Sequence, residues 1–375
     1  MTVKTLLKKA MVFLLGINLG ILIRALRFGV ADAREQLWSA YHGVDPLKAR
    51  DLDIEPADTI AAGNDKTSHP AAESNHEAWN DEILSTSIPV EALSYNKLCN
   101  LADFQHPDLV PWIRAIFSHE RERFGPAFPV GFEDRRQWEV AMTLRTFFDH
   151  GVLNERSEVL GVGAGNEPTI FFLTNRVKRV FATDLYVTSG SGWAEADVSM
   201  IRDPGLNWPF SWNPRRLVVQ HMDGRMLRYD DESFDGVFSC GSIEHFGTLD
   251  QIQRSSREMY RVLKPGGILA IATEFRIEGP DLGFPGTVLF TPELIKERII
   301  GTLAWRPLSP FDYRLSPKTL QTALLQSEAM KAFRKHVKKY GRLLYHKLRQ
   351  ASYPIVVMRE GPYVWTSISI ALRKN

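Results

Sequence analysis

From Glu158 onward, short apolar runs rich in β-branched residues alternate with stretches patterned at helical spacing. The runs are Glu158 to Val162, Arg179 to Thr183, Leu217 to His221, Phe234 to Ser239 and Ile268 to Thr273. That alternation predicts a parallel sheet with crossover helices. The chain closes differently. Pro354 to Met358, a turn at Glu360-Gly361-Pro362 and an alternating run from Tyr363 to Leu372 predict a β-hairpin whose last strand runs antiparallel to the rest. Upstream, helical patterning returns from Asn96: one helix is expected from Pro107 through Phe117 to Phe124, and a second from Asp134 to Phe148, with Trp138, Met142 and Leu144 among its apolar positions. These helices are expected to cover the edge of the domain that follows. The fold class is therefore α/β: a Rossmann-like, doubly wound, mostly parallel seven-stranded sheet with a C-terminal antiparallel hairpin and an N-terminal helical extension.

The first residues read differently. Lys4, Lys8 and Lys9 precede an apolar run from Ala10 to Ile23, followed by Arg24 and Arg27. A spanning helix needs about 20 apolar residues, so this run crosses a bilayer only if the arginines reach toward head groups. A secretory signal would use Ala31-Asp32-Ala33, but Arg24 and Arg27 sit between the apolar run and that site. A membrane anchor, spanning or interfacial, is the expectation, against a helix packed on the domain or a misassigned start. From Asp51 to Glu82 acidic residues crowd against the lone Lys66, the composition of a flexible linker. Residues 1–30 are thus expected as a hydrophobic segment, 31–95 as linker and 96–375 as the main domain. That domain divides into a core at 149–275, a cap with a basic helix at 276–350 and a terminal hairpin at 351–375. The basic helix, Lys331 to Arg349, carries Arg334, Lys335, Lys338, Lys339 and Arg342 without an acidic residue, and reads either as a solvated face or as a surface for anionic groups.

Composition narrows the classes. With 46 basic and 44 acidic residues the formal net charge is +2, too mild for the concentrated basic face that nucleic-acid binding requires, so no nucleic-acid partner is expected. The 2 cysteines, Cys99 and Cys240, make neither a disulfide framework nor a metal site, which points to a reducing, cytoplasmic setting.

The chemistry lies at the strand ends. Val159 to Pro168 is a strand entering a glycine turn, with Gly161, Gly163 and Gly165, and then a helix with Pro168 in its first turn. Phe181-Ala182-Thr183-Asp184 ends the next strand with a carboxylate about twenty residues after the glycines, the separation that lets an acid accept from a ribose diol. This specifies an adenosine-type ligand and leaves two cofactors open, a nicotinamide dinucleotide and S-adenosylmethionine. Further on, Gln220-His221-Met222-Asp223-Gly224 ends the third strand, Ser233 to Ser239 opens the fourth, and Tyr260-Arg261-Val262-Leu263-Lys264-Pro265-Gly266-Gly267 closes a helix on a Pro-Gly-Gly turn before the fifth.

With these motifs the chain resembles the class I S-adenosylmethionine-dependent methyltransferases from about Asp149 to Thr273, and the Leu-Lys-Pro-Gly-Gly element is specific to that family. The resemblance implies S-adenosyl-L-methionine as cofactor. It implies that Gly161, Gly163 and Gly165 line its methionine part, that Asp184, with Leu185 beside it, holds the ribose, that Asp223 and Gly224 meet the adenine, and that Ser239 and Cys240, leading to Ser242, pass beneath the methionine end. Two positions depart from the family: Gly161 stands where an acidic residue is common, and Glu167 where a third loop glycine is common. Glu158, earlier on the same strand, is one candidate substitute for the acid. Asp235, at the start of its strand, is expected to be structural.

Methyl transfer is an in-line displacement in which the protein mainly aligns the partners, but a hydroxyl acceptor benefits from a base. Glu244-His245 lies just past the fourth strand, with His245 the candidate base and Glu244 its orienting partner or a cofactor contact. Tyr186 to Asn213 is loop-rich and carries Tyr186, Trp193, Trp208 and Trp212, which serve either a sugar ring or the loop's own burial. Ser242 to Gly247, with this loop, looks like bacterial methyltransferases of polysaccharide assembly. That favours a sugar, glycan or lipid-linked saccharide hydroxyl, met at a membrane surface on its cytoplasmic side. The rival readings are a lipid or quinone acceptor, and a methyltransferase-like binding module without activity.

Overall fold

A computed structural model describes residues 92–187, 198–208, 211–323 and 353–375, all within the unit Ser74–Asn375. The apolar N-terminal segment, nearly all of the acidic linker, the basic helix and Trp193 lie outside the described residues. Among the described residues no helix is long and apolar enough to cross a membrane.

The sheet begins at its edge, with β1 (Lys97–Leu98), where helical patterning was expected. Its central strands form where the apolar runs stand: β2 (Glu158–Val162), β3 (Arg179–Asp184), β4 (Leu217–His221), β5 (Phe234–Cys240) and β6 (Leu263–Glu278). Short strands β7 (Gly283–Phe284) and β8 (Thr287–Val288) make a separate hairpin, and β9 (Trp305–Pro307), β10 (Met358–Glu360) and β11 (Tyr363–Lys374) complete the set. The continuous path is β1-β11-β6-β5-β2-β3-β4, with β9 and β10 also pairing with β11. Pairs among β2 to β6 are parallel, whereas β11 lies antiparallel on β6. Seven strands thus lie on the path, and two short ones make a nine-stranded sheet. β10, β1 and β9 follow one another along the outer edge of β11, so a long edge strand that would invite edge-to-edge pairing is covered in three pieces. Gly361, at φ 55°, supplies the positive φ that the two-residue turn from β10 to β11 requires.

Both faces of the sheet are apolar, which is why its strands read as unbroken runs. On β6, Ile268, Ala270 and Ala272 enter one core, and Leu269 and Ile271 the other. The first core is closed by α1 (Val110–Ile116), α3 (Arg135–Asp149) and α4 (Pro168–Thr174), and the second by α6 (Leu249–Val262). The helix expected from Pro107 to Phe124 breaks at Phe117 (φ −106°, ψ 39°), giving α1 and a separate α2 (Ser118–Phe124). α5 is the short turn Ser199–Arg202. α3, capped by Asp134, which accepts from the Arg136 N–H, lies across β5, β6 and β11 on the sheet face. Along most of its length α3 is covered, and it buries Arg135, Glu139 and Arg145 along with Trp138 and Met142.

Strand order reverses between β2 and β5, the position where open α/β sheets form a crevice at the carboxyl ends of their strands. The Lys264 to Gly267 turn sets the register there. Phe234 pairs with Leu263 and Gly236 with Ile268, so the intervening residues loop out, with Gly266 at φ 77°. Lys264 then reaches Asp235 (Nζ to both carboxylate oxygens, 2.9 Å), and Asp235 accepts from the Glu158 N–H at 2.8 Å. Asp235 is the structural residue expected.

Candidate active site

The crevice holds a cavity of about 560 Å³. Four strand ends open into it: Gly163, Gly165 and Glu167 after β2, Asp184 and Leu185 at the end of β3, Met222 to Arg225 after β4, and Cys240 to Ser242 with His245 at the end of β5. The sequence motifs therefore converge. Two of the expected cofactor residues stand behind the wall. Ser239 is fully buried within β5, with no partner for its hydroxyl, and Gly161 is sealed under the Phe238 ring. A Cβ at Gly161 would lie 2.7 Å from Phe238 and 2.8 Å from Ala164, so no acidic side chain fits there. Glu158 does not substitute, since it pairs with Lys178 at 3.1 Å at the opposite end of β2.

The glycine loop is held by its neighbours. Gly163 and Gly165 adopt φ 65° and 49°, conformations that favour glycine. Asp184 accepts from the Gly165 N–H (2.9 Å) and the Leu185 N–H (2.6 Å), and the Tyr186 hydroxyl donates to the Gly165 carbonyl at 2.7 Å. Tyr186 is thus buried loop support. The Phe246 ring lies across the loop, close enough that a Cβ at Gly163 or at Gly224 would meet it at 2.9 and 3.0 Å. Sequence reasoning passed over Phe246, although it follows His245 directly. Trp208 and Trp212 go to the core: Trp208 stacks on Phe171 (5.8 Å, 8°) and Trp212 meets the same ring edge-on.

Asp223 is engaged by Arg225, whose Nε and Nη2 make a bidentate pair with it at 2.6 to 3.0 Å. That hydrogen-bonded partner holds the Asp223 carboxyl below the usual range. Cys240 lines the cavity beside Thr143 Oγ1 (3.2 Å), and burial pushes its thiol up, so it stays protonated.

His245 sits in the wall, with Nδ1 2.8 Å from the Gly286 carbonyl and 3.3 Å from Thr287 Oγ1. Its orienting partners thus come from the tip of the β7–β8 hairpin. Glu244, expected to orient it, is set apart: its Oε1 is 3.8 Å from Nε2, beyond hydrogen-bond reach, and its Oε2 accepts from Thr273 Oγ1 at 2.8 Å. Glu244 is fully buried and does not touch the cavity, which corrects its assignment as a cofactor contact. Burial, and after it the neighbouring Glu274 carboxylate, push the Glu244 carboxyl up to about 8. A carboxyl whose folded value lies above its unfolded one stabilises fully below the ordinary value of 4.5, and the benefit is lost as pH rises toward about 8. Glu244→Gln should therefore gain stability relative to the parent protein from pH 5 to pH 8.5, by on the order of a few kcal/mol. Thermal melts across that range check this, and a difference independent of pH would show Glu244 ionised throughout.

Behind the wall lies a network that the sequence did not reveal. Arg135 Nη1 contacts Glu139 (3.1 Å), Glu274 (2.9 Å) and Ser367 Oγ (3.1 Å), and Glu139 also accepts from the Ser367 hydroxyl. Arg136 donates to Glu139 (2.7 Å) and Glu274 (3.1 Å). Burial alone would raise the Glu139 carboxyl, but Arg136 and then Arg135 hold it low. α3, β6 and β11 each contribute to this network, so no local motif could show it.

Comparison with known proteins points to the same segment of the chain. Residues 160–271 match the model of the methyltransferase domain family. Over 57 residues the chain is 42% identical to a protein named probable tRNA methyltransferase 9B of Mus musculus, covering 15% of this chain and 13% of that protein. It is 44% identical over 57 residues to the methyltransferase GfsG of Streptomyces halstedii, covering 15% and 19%. Among solved structures, phosphoethanolamine N-methyltransferase 2 of Haemonchus contortus, in complex with S-adenosyl-L-methionine, aligns with a TM-score of 0.40 at 17% identity, over 62% of this chain and 52% of that one. The chain thus spans less than a fifth of the curated relatives it matches. Residues 160–271 thus match a methyltransferase domain.

Proposed function

We propose that the chain transfers the methyl group of S-adenosylmethionine to a hydroxyl oxygen of a sugar, glycan or lipid-linked saccharide. The placement of His245 carries this reading. A backbone carbonyl can only accept, so the contact with Gly286 puts the imidazole proton on Nδ1 and leaves Nε2 as the basic nitrogen. An amine acceptor is nucleophilic without help, whereas a hydroxyl must lose its proton as it attacks, and a basic imidazole in the cavity wall serves that need.

The cavity also suits the cofactor. Asp184, pinned between the Gly165 and Leu185 N–H groups, is placed to accept from ribose hydroxyls, and Gly163 and Gly165 let the backbone approach closely. Leu185, 38% exposed, and Met222 offer apolar surface for the adenine ring, whose amino group would meet the Asp223–Arg225 pair. When bound, the cofactor supplies an electrophilic methyl group on sulfur. The chain's part is to orient the acceptor, exclude water and receive the acceptor's proton at His245 Nε2. Saccharide as the acceptor class is supported by the resemblance of Ser242 to Gly247 to polysaccharide-associated enzymes, and no longer by Trp208 and Trp212, which the core absorbs. A membrane-anchoring role for Ala10 to Ile23 would bring the domain to lipid-linked acceptors.

The test is calorimetry with S-adenosylmethionine, followed by incubation of the protein with methyl-labelled cofactor and fractionated glycan and membrane extract. Cofactor binding and alkali-stable label in a saccharide fraction are expected. No binding would defeat the reading, and label in amines or alkali-labile esters would overturn the hydroxyl acceptor.

A further inference from the structure

The cofactor's amino-acid end is a zwitterion, an ammonium beside a carboxylate, and removing it from water requires an opposite charge for each. On the strand where the family commonly places an acid, Phe238 leaves no room for one at Gly161, and Glu158 points away with Lys178. The cavity wall offers a different pair. Arg136 comes from α3, before the family segment begins. Its guanidinium runs over Gly241, where a Cβ would sit 1.8 Å from Nη1, so only glycine admits it at that point. The Arg136 side chain lines the cavity and remains 45% exposed, with Nη1 on Glu139 and Nη2 on Glu274. A guanidinium carries five donors, more than these two contacts use. Glu167, in the place of the third loop glycine, lines the same cavity, and its Oε2 is shielded from solvent with no hydrogen-bond partner.

We propose that Arg136 and Glu167 form the clamp for the cofactor's amino-acid end, Arg136 taking the carboxylate and Glu167 the ammonium. This rests on the reading that the cavity binds S-adenosylmethionine. It turns the two departures from the family pattern into one device: the acid lost at Gly161 reappears at Glu167, and its partner cation is supplied by a helix outside the family segment. Burial, and after it the nearby Glu139, raise the Glu167 carboxyl well above the usual range. A carboxyl raised in this way is poised to give up its proton as the ammonium binds.

Two probes separate this clamp from the rest of the site. S-adenosylhomocysteine carries the amino-acid end, whereas 5′-methylthioadenosine keeps the adenosine and sulfur and lacks it. Calorimetry of the full chain should show Glu167→Gln and Arg136→Met weakening S-adenosylhomocysteine by about tenfold or more, with 5′-methylthioadenosine unchanged. Arg136→Lys should recover part of the loss. Titration in buffers of different ionisation enthalpy should show proton release on S-adenosylhomocysteine binding to the parent protein and none in Glu167→Gln. Should Arg136→Met fail to fold, Glu167→Gln decides alone. Variants that bind S-adenosylhomocysteine like the parent, or that lose both probes equally, overturn the clamp. A parent protein that binds neither probe overturns the cofactor reading itself.

Discussion

His245→Ala should lower turnover by about two to four orders of magnitude while leaving the affinity for S-adenosylhomocysteine unchanged. The expectation follows from where the ring is held. Its Nδ1 is fixed by the Gly286 carbonyl at the tip of the β7–β8 hairpin, and the ring lines the cavity from the segment after β5, whereas Asp184 ends β3. Removing the imidazole takes away the proton acceptor without touching Gly163, Gly165 or Asp184. Single-turnover methyl transfer, read beside calorimetry of the same variant, separates the two effects. Unchanged turnover would take His245 out of the mechanism, and a parallel loss of affinity would make it a binding residue instead.

Arg135→Met should cost about 3 to 5 kcal/mol, lowering the melting temperature by on the order of 10 °C. Arg135 is 6% exposed, and its Nη1 joins Glu139, Glu274 and Ser367, all buried, from α3, β6 and β11. Methionine fills similar volume, so the penalty comes from leaving two carboxylates in the interior with Arg136 as the remaining partner rather than from a void. Denaturant unfolding at neutral pH measures it. A change below about 1 kcal/mol would place the network in the class of exposed pairs that contribute little. A triple variant that adds Glu139→Gln and Glu274→Gln to Arg135→Met, which removes the stranded charges, should recover much of the loss.

The central strands were legible because their signal is local. β2 and β4 cover the residues that the apolar runs marked, and the Pro-Gly-Gly turn lies between α6 and the body of β6 as its composition required. The hairpin turn at Gly361 was legible for the same reason, since one residue carries the positive φ. The helix over Pro107 to Phe124 was misjudged because periodicity continues across Phe117 while the backbone does not. Lys97 and Leu98 were read with the helices because two residues carry no period; they form a strand only because β11 offers them an edge.

In the candidate site the division is similar. Sequence spacing by itself placed Gly163, Gly165, Asp184, Asp223, Cys240 and His245 at strand ends, and a parallel sheet brings such ends to one crevice, so their convergence on one cavity followed from topology. Only the tertiary structure decided what each neighbour does. It sealed Gly161 under Phe238, laid Phe246 over the glycine loop, spent Trp208 and Trp212 on Phe171, and gave His245 its Gly286 carbonyl while leaving Glu244 beyond reach. It also carried Arg136 and Glu139 from α3 to the cavity wall. The physical reason is range: periodicity and turn chemistry record what a residue meets a few positions away, whereas burial, charge pairing and ring contacts are settled by residues more than a hundred positions apart, such as Arg135 and Glu274, that meet only once the sheet has formed.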